Sequence, residues 1–385
     1  MKKVFIFATL LIMVSEIRGQ RQAVNDDVIT VDVRRTYPQK TELNLQDFMD
    51  VEYVALETND DFVNQGFVQS IGSEFIIVRN RINDGDIFVY SRSGKALRKI
   101  NRKGHGSEEY TNIYSITLDE DNEELFVNDI FARKICVYDL FGKFKRYIKH
   151  KDGTMYTDIF NYDCDNLICY DSNIKDVPFV IISKQDGVTV KEIKIPFKEK
   201  KFLRQTRSDE GTTYSTSPGP YRRIIPFKGN WLLSELSSDT VFSLLPDFSL
   251  QPFLVRTPTI QTMDPGVFLV LRFISDRYIF METIRNEYNW ATNRGFPRDF
   301  LMYDRQVKSL LGYTIYNGDY SIQKELYMNS LTPVNHEIES WRPIEPFDLI
   351  ESLKKGELKD GKLKEIAKTL DEEDNPVIML IKHKK

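Results

Sequence analysis

Residues 86–100 recur 48 positions later as residues 134–148. Laid over one another, Ile87, Val89, Tyr90, Gly94, Lys95, Arg98 and Ile100 meet the same residue types at Ile135, Val137, Tyr138, Gly142, Lys143, Arg146 and Ile148. A unit this short cannot bury its apolar positions alone, so copies must stack and share a core. That requirement narrows the chain to a repeat architecture.

The unit reads as strands and turns. Leu125-Phe-Val127 is a short apolar strand, Asn128-Asp129 a polar exit and Ile135-Cys-Val-Tyr138 the next strand. Asp139-Leu-Phe-Gly142-Lys143 is a turn with glycine where a positive φ is needed, and residues 144–148 form an outer strand. Strands at such intervals make an antiparallel meander. Weaker copies follow the same grammar. Phe75-Ile-Ile-Val78 precedes the first clear copy, and Phe179-Val-Ile-Ile182 with its Gln185-Asp186-Gly187 turn supplies a third. Trp231-Leu-Leu233 with Val241-Phe242, and Tyr278-Ile-Phe-Met281 with residues 300–304, give a fourth and a fifth. Units of roughly 50 residues holding about four strands are propeller blades.

The expected fold is therefore all-β: a six-bladed β-propeller over residues 28–345, with a short helical C-terminal appendage over residues 346–373. The sixth blade must be assembled from what remains. Its sources are the segment after Tyr316, the apolar run inside residues 374–385, and either residues 28–33 or residues 51–56. Pairing strands from both chain ends closes the ring and removes its open edge. The appendage carries Leu363, Ile366 and Leu370 at helical spacing.

Lys2-Lys3 and the apolar run of residues 4–14 read as an export signal spanning residues 1–19. The run is too short for a bilayer, which takes about 20 apolar residues. No cysteine lies near its end, so the expected product is exported, periplasmic or secreted, without a lipid anchor or a transmembrane span. With 53 basic against 57 acidic residues the formal charge is −4, which argues against duplex nucleic acid as a partner. Cys136, Cys164 and Cys169 are too few for a disulfide framework and have no histidine nearby for a zinc site.

Several landmarks resemble a known family. They are Val51-Glu-Tyr-Val-Ala-Leu-Glu57, Asp86-Ile-Phe-Val-Tyr90, Gly104-His-Gly-Ser-Glu-Glu-Tyr110, Ser238-Asp-Thr-Val-Phe242 and Asp374-Asn-Pro-Val-Ile-Met379. Together they look like the recurring marks of exported six-bladed β-propellers of Gram-negative gut bacteria, relatives of NHL-repeat and TolB-like propellers. Ser107-Glu108 stands where that family more often has Pro-Gly. The resemblance implies fold and export; it assigns no activity.

Gly104-His-Gly106 lacks the Gly-Lys-Ser/Thr of a phosphate loop and reads as a blade-to-blade turn, with Glu109 bonding local amides. His105, His150, His336 and His383 have no partner at ligand spacing. Two connections are too long for simple turns. Residues 205–220 lead into Tyr221-Arg222-Arg223, and residues 286–298 carry Trp290 and Arg294. Arginines and aromatics on long loops suit a partner surface. Tyr221, Arg222, Arg223, Trp290 and Arg294 are thus the candidate ligand-binding residues of a monomeric, non-enzymatic module that binds a protein or a carbohydrate and needs no cofactor. The alternative is a calcium-dependent hydrolase or lactonase in the central channel, with Asp163, Asp165, Asn166, Asp171 and Glu235 as candidate oxygen ligands.

Overall fold

Strands such as Glu124–Asp129 and Phe179–Ser183 bury side chains on both faces, because neighbouring sheets cover each sheet from both sides. Strands in that setting read as continuous apolar runs rather than alternations. The outer strands Ala96–Asn101 and Phe144–Lys149 alternate instead, with one row of side chains turned to solvent. These two environments, repeated, set the architecture of the computed structural model, which describes residues 28–37, 40–173, 176–328 and 333–384. Among the described residues, six sheets of three to five strands form the blades of a β-propeller. The export signal expected over residues 1–19 lies outside the described residues.

Blades 1, 2 and 3 are four-stranded meanders beginning at Phe67–Ile71, Ser115–Asp119 and Tyr156–Asn161. Blades 4 and 5 begin at Ile224–Phe227 and Val267–Ile274 and each carry a fifth strand from the N-terminal region. Ile29–Asp32 lies parallel to residues 254–257 on blade 4, and Lys40–Asn44 lies parallel to residues 312–316 on blade 5. Of the two N-terminal candidates for closing the ring, the second is the one used. Met49–Ala55 pairs antiparallel with Val377–His383, and that strand pairs with Ile338–Ile344.

The repeated side chains hold one blade to the next. Arg98 donates to the carbonyl of Leu140 at 3.1 Å, and its counterpart Arg146 donates to the carbonyl of Lys184 at 3.0 Å. Each arginine thereby satisfies a turn carbonyl of the following blade. The matched isoleucines act at the same joints. A Cβ on Gly142 would stand 2.7 Å from Ile100, and one on Gly187 would stand 2.4 Å from Ile148. Both glycines also have positive φ, +82° and +76°, so the turn needs glycine twice over.

Inner strands of neighbouring blades run the same way. The amide of Leu118 donates to Ser70 Oγ at 3.2 Å, and Thr117 Oγ1 donates to the carbonyl of Ile159 at 2.9 Å, linking blades 1, 2 and 3 at equivalent heights. We call the face where these strands begin proximal and the face where they end distal. The closing blade breaks the pattern. Asn335, just ahead of its innermost described strand, donates to the carbonyl of Ile71 at 2.8 Å, at the far end of blade 1's inner strand. Glu339 accepts from the amide of Ile274, the last residue of blade 5's inner strand, at 3.2 Å. Ile338–Ile344 therefore starts at the distal face and runs opposite to its neighbours.

The chain between that strand and Val377–His383 holds the helices Pro346–Lys354 and Lys362–Ala367. Pro346 sits in the first turn, where its missing N–H costs nothing. Leu349, Leu363, Ile366 and Ala367 bury their side chains in a cluster with Phe280, Tyr313 and Met379, with Leu370 packed against it.

Candidate functional site

Inner strands expose one row of side chains to the ring axis, and two chambers open there. The first, about 690 Å³, is bounded by Ser70, Thr117, Asp158, Asn161, Trp231 and His336, from blades 1 to 4 and the closing blade. Its aromatic wall is ordered: Tyr162 stacks on Trp231 at 5.8 Å, and His336 meets Trp231 edge-on at 4.8 Å. The second, about 530 Å³, opens on the proximal face between Phe67, Arg81, Tyr320, Lys324, Trp341 and Arg342. Phe67, Pro220 and Trp341 border both chambers, so the two are continuous walls of one axial space.

Arginine–carboxylate pairs brace the wall. Arg222 is 6 % exposed; it donates to Glu339 Oε1 at 2.8 Å and to Ser340 Oγ at 3.3 Å. Arg223 pairs with Asp158 at 3.0 Å and lies over the rings of Tyr170 and Tyr221, at 4.8 and 4.3 Å. Arg272 and Arg298 share Glu282 at 3.0 and 3.4 Å and also donate to the carbonyls of Pro220 and Pro218. Burial pushes the Glu339 carboxyl up to about 7 in spite of Arg222, and burial likewise lowers the Arg222 guanidinium. The two directions agree: desolvation outweighs the pair's own attraction.

The proximal face carries two β-hairpin arms. Gln205–Asp209 pairs with Thr212–Thr216 in the connection between blades 3 and 4. Tyr288–Asn289 pairs with Arg294–Gly295 inside blade 5. The bases of the two arms are joined. Gln205 Nε2 donates to the carbonyl of Asn286 at 2.6 Å, and Asn286 Nδ2 donates to the carbonyl of Phe202 at 3.1 Å. Leu203 and Phe296 share a buried cluster with Phe268 and Ile284, and Tyr221 and Tyr288 pack against it.

The pattern of the family described as a domain of unknown function, DUF4934, matches residues 28–382. The chain belongs to the DUF4934 family. Among solved structures, this DUF4934 protein is similar to a candidate exported protein of Bacteroides fragilis NCTC 9343, at 16 % identity over 93 % of this chain and 100 % of the other, with a TM-score of 0.58. It is also similar to a member of the DUF4221 family from Bacteroides vulgatus ATCC 8482, at 9 % identity over 88 % of this chain and 100 % of the other, with a TM-score of 0.47. At such identities the likeness is one of fold. No curated protein matches the chain.

The five residues singled out in the sequence divide into two groups in this DUF4934 propeller. Arg222 is a wall brace, buried against Glu339, and Arg223 is half-buried against Asp158. Tyr221 packs beneath the arms. Trp290 and Arg294 belong to the second arm, where Trp290 meets Tyr288 edge-on at 4.9 Å and Arg294 is exposed. The candidate calcium ligands are separated. Glu235 is held by Lys200 at 2.7 Å, Asp171 accepts from the amides of Met155 and Asn173, and Asp163, Asp165 and Asn166 bond within one turn. Among the described residues no three His, Cys, Asp or Glu side chains gather as a metal site would. Glu109 accepts from the amide of Gly106 at 2.8 Å, in the turn between blades 1 and 2. Arg342, Arg81 and Lys324 went unnoticed because they come from distant segments; the dipeptide Trp341-Arg342 beside a proline was the nearest local signal.

Proposed function

We propose that this protein is a non-enzymatic binding module that takes a protein or glycan ligand on its proximal face. The observation that carries this reading is the docking of two outsized connections onto one another beside the axial opening, through Gln205, Asn286 and Phe202. Loops on a rigid scaffold are where propellers and other repeat folds place recognition. The arms offer Tyr214, 51 % exposed, and Phe202, 47 % exposed, together with Trp290 and Arg294. Aromatic and arginine side chains are the types that dominate contact energy.

On this reading the protein works outside the cytoplasm as a monomer, in the periplasm or secreted, with no lipid anchor and no bound cofactor. Likeness to a candidate exported protein supports the compartment. No helix among the described residues is long and apolar enough to cross a membrane.

The test is capture by a panel of immobilised polysaccharides and extracellular glycoproteins. The triple variant Tyr214→Ala, Trp290→Ala, Arg294→Ala should lose capture by roughly tenfold or more, while its melting temperature moves by less than about 2 °C. Equal capture by variant and wild type would remove the arms from the site. Capture of neither by any surface would end the reading.

A further inference from the structure

The wall arginines Arg222, Arg223, Arg272 and Arg298 are each held by a carboxylate within 3.4 Å. Arg342 occupies a comparable place and is different. It is half-buried in the closing blade, beside the buried rings of Trp341 and Tyr320, and lines the 530 Å³ chamber. Its backbone is paired with Met379 in the sheet, but its side chain has no hydrogen bond and no ion pair with another described residue. The remaining charges of that chamber stand exposed at its rim, Arg81 and Lys324 with Glu325, Glu345 and Asp348, so the charges balance once Arg342 is counted. The cation set among the walls is therefore Arg342. Its nitrogens still reach solvent, but partial burial without a carboxylate at hand disfavours the charged guanidinium and lowers its affinity for its proton, a modest cost. A ligand that brings the missing negative charge recovers that cost.

The walls around Arg342 say what else the ligand presents. Phe67 and the margins of the buried Tyr320 and Trp341 supply aromatic surface, with Arg79 over Phe67 at 4.7 Å and Lys324 over Tyr320 at 5.5 Å, and Leu326, Ile344 and Met379 supply aliphatic surface. A volume of 530 Å³ is in the range of small-molecule sites, which run from about 300 to 1,000 Å³. Aromatic faces suit the C–H faces of a sugar ring, and a guanidinium suits a planar acid group bidentately.

We propose that the proximal chamber binds an acidic sugar residue, with Arg342 pairing its acid group and the ring lying among Phe67, Tyr320 and Trp341. The inference rests on the glycan branch of the binding-module reading and names the subsite and the charge. The acid group is a carboxylate or a sulfate ester, since both offer two oxygens to one guanidinium.

Calorimetric titration of the full chain with three oligosaccharides tests it: a galacturonate trimer, a sulfated galactose dimer and a neutral galactose trimer. The wild type should bind at least one acidic probe roughly tenfold or more tightly than the neutral one. Which acidic probe binds tells carboxylate from sulfate. Arg342→Ala should abolish that preference, and Arg342→Lys should keep part of it, with a melting temperature within about 2 °C of wild type in both. No acidic preference in the wild type, or an undiminished preference in Arg342→Ala, overturns the inference. Neither outcome touches capture by the arms, which the triple variant measures separately. Loss of acidic-sugar binding in Arg342→Ala with full retention in the arm variant would support the chamber and weaken the arms.

Discussion

Blade 2 draws its four strands from one stretch, between Ser115 and Lys149, paired neighbour to neighbour. The closing blade takes three strands from Met49–Ala55, Ile338–Ile344 and Val377–His383. Their polar groups differ accordingly. In blade 2, Glu124 is held by Arg146 at 2.6 Å, and Asp129 accepts from Thr111, Asn112 and Ala132. In the closing blade, Glu339 Oε2 and both ring nitrogens of His383 lack hydrogen-bond partners, and the Arg342 side chain makes no ion pair with another described residue. A blade written in one stretch finds its partners nearby along the chain, Arg146 lying 22 residues from Glu124 and Thr111 18 from Asp129, although Ser115 Oγ is left without one. A blade assembled from distant segments has fewer such local solutions, and here Glu339 and His383 stand buried 4.0 Å apart without a hydrogen bond between them.

The contrast breaks most visibly if the closing blade is dispensable. Deleting residues 376–385 removes its middle strand, which is paired on both sides over residues 377–383. Val377, Ile378, Leu380 and Ile381 are fully buried there, and full burial of one such side chain is worth about 1.5–3 kcal/mol. Four of them approach the whole stability of an ordinary domain, roughly 5–15 kcal/mol. The truncated chain should therefore show no cooperative thermal transition by calorimetry. A sharp transition near the wild-type temperature would mean that the ring closes without its clasp.

A smaller effect separates Glu339 from the satisfied carboxylates. Its folded value of about 7 lies above its ordinary 4.5, raised chiefly by burial. The folded state therefore holds the proton more tightly than the unfolded one. Below about pH 4.5 both states are protonated, and above about pH 7 both are ionised. Between them the wild type loses stability as pH rises, by about 3 kcal/mol across the window. Burial lowers His150, His336 and His383, and lowered histidines act with the opposite sign, gaining stability as pH rises toward 6.5. The raw curve thus mixes both, and Glu339→Gln isolates the carboxyl. Denaturant titrations at pH 5 and pH 7.5 should show the variant gaining on the wild type at the higher pH. A constant difference would mean that Glu339 is ionised throughout, as firmly paired as Glu124.

Legibility in the sequence follows the same division. The match of Arg98 with Arg146 and of Ile100 with Ile148 was visible as a repeat, and it turns out to encode the joint between successive blades. Chain closure by a C-terminal apolar strand was also readable, because a run like residues 377–381 needs cover on both faces. The parallel additions were not. Residues 28–33 read as a strand for closing the ring, whereas Ile29–Asp32 pairs on blade 4, and Lys40–Asn44, with no fully buried position, left no mark. The reversed direction of Ile338–Ile344 depends on which distant strand ends it meets. At the site, loop composition drew notice to Arg222, yet its partner Glu339 lies 117 residues away. Pairing at that separation leaves no mark in a local pattern, and Arg342 stood out only once its unpaired state was visible in three dimensions.

The smallest effect comes from taking out as many native residues as the first. Residues 206–215 make up most of the first arm, and replacing them with Gly-Gly takes out ten native residues, the number lost in the C-terminal deletion, and shortens the chain by eight. The arm's strands are exposed almost throughout: Thr206, Arg207, Ser208 and Asp209 on one side, and Thr212 to Ser215 on the other. The Arg207–Asp209 pair is half exposed, and surface pairs are worth about 0–1 kcal/mol. Gln205 and Phe202, which tie the arm's base to Asn286, remain in place. Unfolding free energy should change by less than about 1 kcal/mol, since surface substitutions away from packed features usually stay near ±0.5. Ten residues would then be decisive at the clasp and nearly silent in the arm, and an arm kept without contributing to the fold is one kept for contact with something else. A large loss of stability on removing it would instead make the arm a strut of the ring and withdraw the main support for recognition on the proximal face.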